Sequence, residues 1–84
     1  SHLSLRSTMR VATLEIAGMN AVHAVRAVYT AFAGVPGIEW AEVALGRATV
    51  EHDGTVTREM LEAAVAEAGF AVTGYRDERR LKIL

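Results

Sequence analysis

Met19 and His23 are two neighbouring residues whose types could ligate a soft metal ion. They lie in the run Gly18-Met19-Asn20-Ala21-Val22-His23-Ala24-Val25. A thioether suits Cu(I), and an imidazole suits several transition metals. Two such donors make a poor site without a third, and His52 is expected at the opposite end of the sheet from them. The stronger reading of Met19 is a flexible apolar filler beneath a loop. The stronger reading of His23 is a solvated side chain in the first turn of a helix. The sequence contains no cysteine, which removes thiolate sites and disulfides together. Glu59, Glu62 and Glu67 read as a solvated helix face, since no His or Asp accompanies them at ligand spacing. There is no Gly-rich phosphate loop, no GxSxG, no HExxH and no nucleophile beside a base, so no enzyme is expected. The Gly18–Ala24 segment also lacks the arginine of an acylphosphatase-type anion loop.

The 84 residues suffice for one small domain. A composition of 51% hydrophobic and 23% charged residues is that of a globular protein, and the net charge of −1 argues against a nucleic-acid partner. No stretch approaches the roughly 18 apolar residues of a membrane helix, and the start lacks the apolar centre of a signal peptide. A cytoplasmic location is expected.

The elements that must position the loop follow from periodicity. Arg10 to Ala17 alternates, with Ala12, Leu14 and Ile16 on one face, and reads as a strand. Val25, Val28 and Phe32 then fall on one helical stripe, which Gly34 and Pro36 terminate. Ile38 to Leu45 is a second strand, with Ala41, Val43 and Leu45 facing inward. A third strand carries Ala48 and Val50 inward and ends near His52, and Asp53-Gly54 marks a turn. Thr57 is the expected N-cap of a second helix whose stripe is Leu61, Ala64, Val65 and Ala68, with Gly69 as its cap. Phe70 to Tyr75 is a short fourth strand. The order β-α-β-β-α-β predicts an α+β, ferredoxin-like open-faced sandwich: a four-stranded antiparallel sheet with both helices on one face. Residues 1–9 are expected to be a flexible or non-native N-terminus (with an extra edge strand carrying Leu3 and Leu5 as the alternative), 10–75 the domain, and 76–84 a C-terminal tail.

These segments resemble the heavy-metal-associated domains, the family of the copper chaperones. That family carries G-M-x-C-x-x-C at the end of the first strand. Gly18 and Met19 match it, and Ala21 and Ala24 stand where the two cysteines belong. The runs Ala33-Gly34-Val35-Pro36-Gly37-Ile38, Ala48-Thr49-Val50-Glu51-His52 and Ala64-Val65-Ala66-Glu67-Ala68-Gly69-Phe70 resemble later family segments, so the likeness covers about residues 10–75. The resemblance implies a domain that binds and hands on Cu(I), or Zn, Cd or Hg. It implies a metal-transporting ATPase or another metal-binding domain as partner. The neutral Asn20 leans the family reading toward Cu(I). Alanine offers no lone pair, so tight binding is not expected in this chain and no cofactor is assigned to it. Natural divergence and deliberate replacement of both ligands would each leave this pair of alanines, with divergence preferred. A metal-independent interaction or ligand-sensing module on the same fold is the alternative function.

Trp40 falls on the outer face of the second strand with Glu42, and Thr13, Glu15, Thr49 and Glu51 share that face. An outward Trp implies a cover: a partner, a second copy meeting it through the open sheet face, or the apolar tail Leu81 to Leu84.

Overall fold

The computed structural model describes the backbone of residues 6–83, with side chains placed for residues 10–79. Four strands and two helices follow in the order β1 (Arg6–Ala17), α1 (Val22–Ala33), β2 (Ile38–Ala44), β3 (Arg47–His52), α2 (Arg58–Glu67) and β4 (Ala71–Ile83). The strands form one antiparallel sheet in the spatial order β2-β3-β1-β4. This is the expected ferredoxin-like sandwich.

Its core sits between sheet and helices because the alternation of the strands meets the stripes of the helices there. Ala12, Leu14 and Ile16 of β1, and Ala48 and Val50 of β3, are buried against Val28 and Phe32 of α1 and Leu61, Ala64 and Val65 of α2. Phe32 is fully buried, worth about 2–3 kcal/mol in apolar burial. The buried stripe of α1 is Ala24, Val28 and Phe32, one residue earlier than expected at its start, and Val25 is only half-buried.

Helix α2 starts as its sequence indicates. The Thr57 hydroxyl accepts from the Met60 amide at 3.2 Å, while the Thr57 amide donates to the Met60 sulfur at 3.5 Å. The helix ends on Ala68, so Gly69 is the residue after the cap, with φ +98°. That is the left-handed position where helices favour glycine.

Two strand boundaries differ from expectation. Leu45 lies in the turn after β2 and is exposed, because the chain must reverse at Gly46 to place Ala48 opposite Leu14. At the other end of the sheet, β1 begins at Arg6 and β4 continues to Ile83, pairing Arg6 with Ile83 and Arg10 with Arg79. The segment expected as a tail is strand, because antiparallel ladder bonds extend for as long as both chains run alongside. A strand of 13 residues at about 3.3 Å each spans most of the molecule's 47 Å long axis. The alternative strand role for Leu3 and Leu5 falls outside the described residues, as does Leu84.

This topology also settles what does not cover Trp40. Residues 81–83 lie on β4, and β3 and β1 separate that strand from β2. Trp40 remains 48% exposed.

Candidate metal-loop site

The segment that joins β1 to α1 is built by a reversal and a helix start. Gly18 has φ +91°, and a Cβ there would lie 3.3 Å from the Phe70 ring, so the ring closes over the loop. Met19 then turns inward and is buried in the core cluster at 5% exposure. Asn20 is exposed. Ala21 takes an extended conformation at the N-cap position, and its carbonyl accepts the Ala24 amide at 3.0 Å. The turn after β2 reaches the same end of the sheet, where the Gly46 carbonyl accepts the Ile16 amide at 2.9 Å.

Positions 21 and 24 are thus brought together across the first turn of α1. Ala21 is half-buried and Ala24 is buried at 3% exposure. An alanine is a poor N-cap, costing about 1 kcal/mol against Ser, Thr, Asn or Asp, and no side chain caps this helix. No acidic residue occupies its first turn, so its amide-rich, positive end is uncompensated. A thiolate at position 21 would gain from that field, whereas a methyl group does not.

The sequence-derived donors do not converge here. Met19 is a core side chain and His23 is exposed on the helix surface. No group of three or more His, Cys, Asp or Glu side chains fit to hold a metal ion occurs among the described residues. The donor set present does not fit a soft-metal site, and no step through a metal follows from it. Phe70 packs against the core while it closes over Gly18, so its structural role and its place beside the loop are one arrangement.

A second cluster, at the opposite end of the sheet, was missed by sequence reasoning. His52 is buried at 1% exposure, and its Nδ1 accepts the Gly54 amide at 3.2 Å. In the neutral ring the proton therefore sits on Nε2, which has no hydrogen-bond partner among the described residues and lies 3.8 Å from Asp77 Oδ2. Asp77 also accepts from Arg10 Nε at 3.1 Å and from the Tyr75 hydroxyl at 3.0 Å. Burial first, and then this hydrogen bond, pushes the Tyr75 phenol up to about 12. The Arg58 guanidinium stacks over the Tyr75 ring at 5.1 Å. The alternation Ala48, Val50, His52 carried the signal that His52 points inward. The other members were hidden because Asp77 was assigned to a tail.

No protein-family model and no curated protein sequence matches the chain. Solved structures do. A proposed copper-ion-binding protein from Bacillus anthracis strain Ames is 29% identical, with a TM-score of 0.71 over 77% of this chain and 96% of that one. A copper-binding domain from HMA7, a P-type ATPase, is 28% identical, with a TM-score of 0.69 over 89% and 93%. The CopZ metallochaperone is 27% identical, with a TM-score of 0.70 over 75% and 98%. These neighbours span nearly their whole lengths on this fold, and they are metal-binding domains rather than enzymes. The chain thus resembles the heavy-metal-associated domains of the copper-chaperone type in fold and in sequence, while containing no cysteine.

Proposed function

We propose that this domain keeps the scaffold of a soft-metal carrier but does not hold the metal tightly itself. The observation that carries the reading is the pair Ala21 and Ala24, set across the first turn of α1 at an uncapped N-terminus. By family resemblance the two metal-binding thiolates belong at these positions. Methyl groups there supply neither charge nor lone pairs, and the neighbouring Met19 is committed to the core. The domain then acts through protein contacts, with a metal-transporting ATPase or another metal-binding domain as partner, and without catalysis. The same reading places it in the cytoplasm, where such partners keep their thiols reduced. The exposed Trp40 and Tyr29 favour an interaction role over a purely vestigial one.

The test is a Cu(I) competition titration against a strong chelator, run in parallel on the chain and on Ala21→Cys/Ala24→Cys. Tight binding by the cysteine variant alone is the expected result. Tight stoichiometric binding by the unaltered chain overturns the proposal. If neither protein competes, the loop does not have the geometry of a carrier and the metal-handling ancestry fails with it.

A further inference from the structure

Tyr29, Trp40, Val22 and Leu45 are the exposed large apolar side chains among the described residues, and the first three gather on one edge of the molecule. Strand β2 ends the sheet there, so its outer backbone groups have no ladder partner among the described residues. Helix α1 lies alongside it, and two open hollows, of about 340 and 140 Å³, run in line between helix and strand. Tyr29 and Ala41 line both hollows and mark the middle of the groove. Beyond them the groove ends differ in charge. Arg26 lines one end with Val43, and Glu39 lines the other with Ile38. Neither Arg26 nor Glu39 takes part in an ion pair among the described residues.

A groove with opposite charges at its two ends and small and aromatic residues at its middle is complementary to itself. A two-fold axis through the middle carries each end onto the other. We propose that the β2 edge is a self-association surface, on which a second copy of this chain pairs β2 against β2, antiparallel and centred on Ala41.

In that register Val43 meets Glu39 of the second copy, which brings Arg26 beside that carboxylate, twice per dimer. Trp40 meets Glu42 on the open face of the sheet, so the indole covers the seam from one side while Tyr29 and Val22 cover it from the other. The register also keeps carboxylates apart, whereas centring on Glu42 would set that residue against itself. The opposite edge of the sheet is protected differently. Strand β4 presents Arg76, Glu78 and Arg79, all exposed, and charged side chains are a recognised block to edge pairing. The β2 surface is distinct from the metal loop and does not depend on whether the chain binds metal.

Sedimentation velocity over a concentration series up to about millimolar tests this, since a small edge interface gives weak association. The chain is expected to shift from monomer toward dimer. Arg26→Glu and Glu39→Arg, each alone, turn two attractions into two repulsions, and each is expected to raise the dissociation constant about tenfold at low salt. Mixing the two variants is expected to restore association, because a mixed dimer pairs Glu at 26 with Arg at 39 and keeps the native pair on the other side. Both substitutions lie at exposed positions, and the mixture shows that both variants are folded. A chain that stays monomeric throughout overturns the proposal. So does a dimer that neither charge reversal weakens, which would place the contact elsewhere, on the open sheet face or as edge pairing in another register. Weakened single variants that fail to rescue one another overturn it as well.

Discussion

Asp77→Ala should cost this domain about 2 kcal/mol, although it changes a single residue in what composition suggests is a charged tail. The figure comes from two contacts. The Tyr75 hydroxyl donates to Oδ2 at 3.0 Å in a partly buried setting. A hydrogen bond to a charged group contributes about 1.5 kcal/mol there. Arg10 Nε donates to Oδ1 at 3.1 Å, but its side chain is 37% exposed, so solvent reduces that pair to about 0.5 kcal/mol. Tyr75→Phe loses the first contact alone and should cost about 1.5 kcal/mol. The double variant should be scarcely worse than Asp77→Ala, because the shared bond can be lost only once. The coupling is then about 1 kcal/mol or more. Urea unfolding followed by far-ultraviolet circular dichroism measures all three. A loss below about 0.5 kcal/mol for Asp77→Ala, or simple additivity, refutes the claim that the Tyr75 hydroxyl and this carboxylate share a stabilising hydrogen bond. The alkaline limb gives a second readout on the same protein. The folded Tyr75 phenol titrates near 12 against an ordinary 10.0, so its stabilisation is complete below 10 and is lost as pH rises through 12. Subtracting the tyrosinate absorbance curve of Tyr75→Phe isolates the group. In Asp77→Ala the curve should move down but stay above 10.0, because burial, the larger cause, remains.

Two further outcomes follow from local geometry. Asp53 accepts from the Thr55 hydroxyl at 2.6 Å and from the Thr55 amide at 3.0 Å, and these bonds hold its carboxyl below the ordinary 3.8. Its stabilising effect is present above 3.8 and lost as pH falls through the lower folded value, so the melting-temperature gap between the native chain and Asp53→Asn should close in acid. Gly37→Ala should destabilise by about 2 kcal/mol or more in urea melts, from left-handed strain plus collision. Gly37 sits at φ +96°, and a new Cβ there would stand 2.6 Å from Thr55 Oγ1 and 3.0 Å from Val56 Cγ2.

What the sequence displayed was governed by period. Alternation in β1 and β3, and the stripe of α2, named the core correctly because burial on one face is what those periods report. The cap at Thr57 and the break at Gly34 were legible because capping is a local, side-chain-to-backbone event. The far half of β4 was not. Arg76 to Arg80 has no apolar alternation, since this part of the strand is the sheet's outer edge, where Arg76, Glu78 and Arg79 are exposed and the inward Asp77 pairs with Arg10 and Tyr75. Its stability comes from a partner strand some seventy residues earlier, and no window along the chain contains both. Asp77 became a tail residue for that reason, and the cluster around His52 vanished with it.

The candidate site shows the converse limit. Ala21 and Ala24 are invisible to any physical reading of the sequence, since two alanines at a helix start carry no chemical signal. Only the likeness of the surrounding segments marked the positions. The structure adds a physical reason to look there: an N-cap without a capping side chain, at the uncompensated end of α1, where a residue suited to capping would be more stable. The β2 edge works the other way round. Trp40 was visible as misplaced from alternation alone, but its meaning required the neighbours that only the fold supplies: Tyr29 one helix away, and the unlike charges of Arg26 and Glu39 at the two ends of one groove. Opposite charges at the two ends of one open groove, with apolar side chains between them, are chemistry suited to meeting protein.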